Sequence, residues 1–215
     1  FVIAIGAMFS ALEVVPLAMI GVEAYRNYQR SKAAPWVQAY KWSIMCFIAV
    51  GFWNVLGAGV LGFSINTPIA LYYMQGLNMT AAHGHAALFG VYGMLGIGLL
   101  LFCLRGLSSR LAWSDRLLAP MFWLLNIGLA MMVFISLVPA GIYQAWASVT
   151  KGMWFARSPE VVHSHFMETM VWLRVPGDIV FSVGVLFLVW FAVRLLTGDK
   201  RKQPVHLPTG AVKQA

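Results

Sequence analysis

The sequence predicts an all-α polytopic membrane protein, and two observations carry that reading. Of its 215 residues, 60% are hydrophobic and only 10% are charged, against about half and about a quarter in ordinary soluble domains. The charges gather in short clusters between long apolar runs. This composition excludes a soluble globular domain, a disordered tail and a coiled coil. The net charge of +8 would by itself suit nucleic acid. Clusters that punctuate apolar runs are instead the pattern of loops facing an anionic membrane surface, so no nucleic-acid partner is expected. Cys46 and Cys103 both sit in apolar runs, which argues against a disulfide framework or a thiolate metal site.

A window of about 19 residues finds five spans, over about 1–21, 42–63, 80–104, 117–138 and 175–193. They form one membrane bundle over 1–197, followed by a flexible, solvated tail over 198–215 that contains Pro204 and Pro208. The first span opens at Phe1 inside an apolar run, with no signal-peptide region before it, which reads as part of a longer chain. The third span is rich in small residues: Ala82, Ala86 and Gly90, then Gly93, Gly96 and Gly98. Such a face admits either another helix or a flat cofactor. The fourth run carries no charge from Leu117 to Thr150, roughly 50 Å of helix and too long for a core of about 30 Å. A break is expected at Pro139-Ala140-Gly141, followed by an interfacial segment from Tyr143 to Trp154. In the fifth span, Pro176 and Gly177 are read as marking the helix start.

Orientation follows from the loops. Arg26, Arg30, Lys32 and Lys41 lie between spans one and two; Arg105, Arg110 and Arg116 between three and four; Arg194, Lys200, Arg201 and Lys202 after span five. The stretch 64–79 has no charge, and the loop after span four is mixed. The positive-inside rule puts the basic groups in the cytoplasm, with the first residue outside and the C-terminus inside.

Ionisable groups inside a membrane are expensive and are functional candidates by default. The strongest are His83 and His85, separated by Gly84 near the outer end of span three. Two helical residues apart is about 200°, so the rings point to nearly opposite sides. They cannot share one small ion from one face. Each can serve as an axial ligand of a flat iron porphyrin, with Gly84 and Ala86 leaving room; the plainer alternative is hydrogen bonding to headgroups or loop carbonyls. Glu13 stands about 20 Å along a helix from Arg26, within the outer half of span one. It is either a carboxyl of raised pKa that exchanges protons or a protonated group bonded to a neighbouring helix. Arg174 and Asp178 have the spacing of a helix pair, while Arg174 also suits the carboxylates of a cofactor. His163 and His165 read as loop residues or as aids to proton uptake. Asn54 is a polar contact midway along span two.

At these histidines the sequence meets a known family. The run NTPIALYYMQGLNMTAAHGHAALFGVYGMLGIGLLLFCLR, residues 66–105, closely resembles the large catalytic subunit of bacterial respiratory nitric oxide reductases, members of the haem–copper oxidase superfamily. FWNVLGAGVLGF at 52–63, ALEVVPL at 11–17, WFARSPE at 154–160 and WLRVPGD at 172–178 extend the likeness over nearly the whole chain apart from the tail. The resemblance implies a multi-pass protein of the bacterial inner membrane, denitrifying and respiratory, holding two haems b. It implies that His83 ligates the high-spin haem iron, that His85 is one axial ligand of the low-spin haem, and that Glu13 lies near a non-haem iron and serves proton delivery. Arg174 would face the haem propionates. Two nitric oxide molecules would be reduced to nitrous oxide and water, with quinol or cytochrome c as donor; WFARSPE resembles the quinol-dependent form.

The departures from that family are as informative. Its catalytic subunit has about twelve spans, and this chain resembles the last five. The histidines and glutamate that hold the non-haem iron, and the second axial histidine of the low-spin haem, lie on earlier helices, so those helices are expected partners. The alternatives are an oxygen-reducing haem–copper terminal oxidase, a non-catalytic haem b anchor, and a cofactor-free subunit. Spans one, two, four and five contain no histidine, which counts against a self-contained dihaem anchor.

Overall fold

The computed structural model describes residues 1–107 and 113–197. All regular elements among these residues are helical. Five helices are long and apolar enough to cross a membrane: α1 (Val2–Ser31), α2 (Lys41–Asn66), α3 (Asn78–Leu107), α4 (Asp115–Lys151) and α5 (His165–Thr197). In hydrocarbon, every backbone polar group must pair within its own segment, so apolar runs of this length fold as helices. Arg110, Lys200, Arg201, Lys202 and the tail over 198–215 lie outside the described residues.

The five helices alternate between two ends. At the basic end, Arg105 Nε donates to Ala39 O at 2.9 Å and its guanidinium lies 4.9 Å from the Trp113 ring centroid. Trp42 Nε1 donates to Asp115 Oδ1 at 3.0 Å. At the opposite end, here the histidine end, the connections carry short helices, Pro68–Met74 before α3 and Pro159–Val162 before α5.

Three helices widen into π-helical turns: Asn54–Leu61 in α2, His85–Gly93 in α3 and Met132–Leu137 in α4. Such turns are rare and concentrate at functional sites. The last of them explains a difference from the sequence reading. No break occurs at Pro139-Ala140-Gly141, and α4 continues to Lys151. The α-helical turns restart at Val138 directly after the wide ones. Pro139 follows directly on the wide turns, whose extra residue gives its ring room beside the preceding turn, at the cost of one backbone bond. The expected interfacial segment from Tyr143 is therefore mostly the end of α4. Similarly, Pro176 lies inside α5 and does not begin it. Contacts on both sides hold the helix through the proline: Ser136 Oγ donates to Met170 O at 2.7 Å, and Gly177 and Gly184 press against Met132 and Leu125 of α4.

The core lies among α2, α3, α4 and α5, where Trp53, Met94, Leu101, Met121, Leu125 and Phe191 are almost wholly removed from solvent. Close helix approach is set by glycine. A Cβ on Gly90 would lie 2.5 Å from Trp53 Cγ, and one on Gly128 would lie 2.5 Å from the Phe181 backbone nitrogen. Trp53 Nε1 donates to Asn126 Oδ1 at 2.9 Å, a cross-helix bond deep in the apolar interior. Helix α1 is peripheral, with Ala7 its one buried residue.

Asn126→Leu leaves the Trp53 indole N–H unpaired and is expected to cost about 1–2 kcal/mol in detergent unfolding. Gly128→Val places atoms on backbone that cannot move away. It is expected to abolish α4–α5 docking, read as loss of the monodisperse species by size-exclusion chromatography.

Candidate functional site

The site is built on the first turns of α3. Residues Asn78–Gly84 are α-helical, and the wide turns begin at His85. His83 Nδ1 lies 2.8 Å from the carbonyl oxygen of Gly57 on α2. His85 Nδ1 lies 2.9 Å from Ala81 O, one turn back on its own helix. A carbonyl only accepts, so in both rings Nδ1 carries the hydrogen and donates. With Nδ1 engaged in this way, Nε2 is the ring nitrogen left to serve as a metal ligand. This is the arrangement that fixes the tautomer of metal-bound histidine and raises its basicity.

The wide turns of α2 supply the acceptor. Gly57 O takes the Gly62 N–H across a five-residue turn and the His83 N–H as well, one for each lone pair. Gly62 also makes room for the ring, since a Cβ there would sit 3.1 Å from His83 Cε1. Nothing lies within 4 Å of a Cβ built on Gly84, so the backbone between the histidines is open. Ala86 differs from the sequence reading. It is fully buried and a Cβ on Gly57 would be 2.7 Å from its Cβ. Ala86 packs α3 on α2 and leaves no space for a cofactor; Ala82, Gly90 and Gly98 are likewise buried.

Among the described residues, no three or more His, Cys, Asp or Glu come together to hold an ion. The donor set fits a haem better than a bare ion, because the macrocycle supplies four nitrogens and a single imidazole from this chain would complete one face. Each ring offers one Nε2, and the two rings are held by different partners.

The remaining predicted residues stand apart. Val14, beside Glu13, packs towards Gly59, between the two glycines that touch His83, so Glu13 lies level with that ring. Its side chain is exposed and has no hydrogen bond or ion pair among the described residues. Arg174 Nε pairs with Asp178 Oδ2 at 3.3 Å, both about 40% exposed (41% and 42%), as the helix spacing predicts. The terminal guanidinium nitrogens carry no bond among the described residues. His163 and His165 are exposed, and His165 opens α5. Asn54 begins the wide turns of α2 and is half-buried. Sequence reasoning missed Asn126, Ser136, Gln144 and Ser148, the last three buried polar side chains. Their signal was polarity inside a charge-free helical run.

The family model for cytochrome c and quinol oxidase polypeptide I matches residues 1–180. The chain belongs to this family. It is also similar to a nitric oxide reductase subunit of Stutzerimonas stutzeri, with 32% identity over 202 residues, 92% of this chain and 40% of that protein. The chain thus spans about 40% of the length of the curated relative it matches. Membership of the cytochrome c and quinol oxidase polypeptide I family, with five apolar helices, makes this a multi-pass membrane protein.

Gly62→Val is expected to drive the His83 ring off the Gly57 carbonyl. Nitrogen-15 NMR of histidine-labelled protein should then lose the Nδ1-protonated signature of His83 and retain that of His85.

Proposed function

We propose that this chain is the C-terminal part of the catalytic subunit of a respiratory nitric oxide reductase. The observation that carries the reading is the pair of imidazoles with Nδ1–H held by Gly57 O and Ala81 O, which leaves both Nε2 lone pairs for iron. Family membership and the likeness to a nitric oxide reductase subunit support it. His83 would hold the high-spin haem b and His85 the low-spin haem b. When bound, the haems supply the electron relay and the iron at which 2 NO, 2 electrons and 2 protons become N2O and water.

The chain's own residues orient and protonate. The carbonyl bonds fix both rings and strengthen Nε2 as a donor. Glu13, level with His83 in an apolar helix, would carry protons towards the site. Glu13 alone does not hold a non-haem iron, whose ligands we assign to earlier helices outside this chain. Arg174 retains free guanidinium donors for haem propionates. By the positive-inside rule the histidine end faces the periplasm and the basic end the cytoplasm of the bacterial inner membrane. Electrons would come from quinol or cytochrome c.

The family model's own description favours a second reading, oxygen reduction. Electrode assays on the purified full-length protein, fed reduced donor, separate the two: nitric oxide consumption is expected, and consumption of oxygen in its place would overturn the proposal. In the same protein, His83→Ala should remove the high-spin haem signal and His85→Ala the low-spin one. Glu13→Gln should lower turnover by about 100-fold with haem content unchanged.

A further inference from the structure

We infer that Gln144 on α4 is a positioning residue, a cap supplied in trans to the histidine helix that sets the orientation of His85. The inference rests on the reading of His85 as a haem ligand. A helix leaves its first N–H groups without partners inside the helix. Normally the residue before it caps them with a polar side chain. Here that residue is Leu77, which has no such group, and α3 has no side-chain cap of its own.

Gln144 takes the place of that cap. It is only 6% exposed, and its Oε1 accepts the Asn78 backbone N–H at 3.0 Å and the Asn78 Nδ2–H at 2.9 Å. Gly141, Gln144 and Ser148 share one face of α4. A Cβ on Gly141 would lie 2.5 Å from the Met79 nitrogen, so α3 begins in backbone contact with this face. Ser148 Oγ donates to Tyr73 O at 2.8 Å. Arg157 donates to Met153 O at 2.6 Å and also to Gln75 O. The connection before α3 is thus clasped at Tyr73, Gln75 and Asn78.

The two histidines depend on this clasp differently. His85 is held by Ala81 O, and Ala81 belongs to the first turn, Asn78–Ala81, that Gln144 caps. His83 is held by Gly57 O of α2, on a different helix. Loosening the first turn of α3 therefore frees the His85 ring and leaves the His83 ring anchored. A merely structural role for Gln144 would disturb both.

The test uses the full-length protein with Gln144→Leu and Gln144→Glu. Hydrogen exchange at the Asn78 amide and the electron paramagnetic resonance of the two haems are the readouts. Gln144→Leu should speed Asn78 exchange about five- to tenfold. It should shift or broaden the low-spin signal and leave the high-spin signal in place. Gln144→Glu, measured at a pH low enough to protonate it, keeps an acceptor for Asn78 and a donor for Ala156 O and should restore both. Should the Leu variant fail to accumulate, Gln144→Asn, which withdraws the acceptor by one methylene, is expected to show the same selective pattern. Unchanged Asn78 exchange, equal disturbance of both haem signals, or a Glu variant that behaves like Leu would each overturn the inference. A wild-type protein without haem overturns the ligand reading instead, and Asn78 exchange then decides the cap by itself.

Discussion

The bond from His83 Nδ1–H to the Gly57 carbonyl couples two helices at the depth where the site is built. It needs a carbonyl with a spare lone pair, a helix surface without side chains, and an imidazole at the right height. Ordinary α-helical packing rarely offers all three. The wide turns of α2 provide the first, with Gly57 O accepting across five residues, and Gly57 and Gly62 provide the second. The crossing of α2 and α3 at Gly57 and Ala86 fixes the third. Once that contact is set, Gly90 against Trp53 and Gly98 against Phe47 follow along the same helix pair.

From this coupling comes a division of labour. His83 is tied to a neighbouring helix and His85 to its own first turn, so the two rings are positioned by separate structures. If the two rings hold two haems, as proposed, each haem would be oriented by a different part of the bundle. The backbone between the two rings, at Gly84, is open. The interior is braced elsewhere, by the Trp53–Asn126 bond and by glycine contacts between α4 and α5.

Much of this was legible in the sequence, for physical reasons. Five spans follow from apolar length, because hydrocarbon tolerates little besides helix. The Arg174–Asp178 pair follows from helical spacing. The placement of His83 and His85 as ligand candidates follows from the cost of polar groups in the membrane. The continuity of α4 was not legible: Pro139 normally ends a helix, and the wide turns that accommodate it have no sequence signature. That misreading also hid Gln144 and Ser148, which then fell in a supposed interfacial segment. Ala86 was misjudged because a small residue looks the same whether it admits a cofactor or a helix. Only the opposing Gly57 distinguishes the two.

The account stands on Nε2 of His83 being the iron ligand. The most direct measurement is resonance Raman spectroscopy of the reduced full-length protein, with natural and nitrogen-15 histidine. The account predicts an iron–histidine stretching band that moves to lower frequency on labelling. A reduced high-spin haem whose low-frequency bands ignore the label, or a colourless protein, would contradict it.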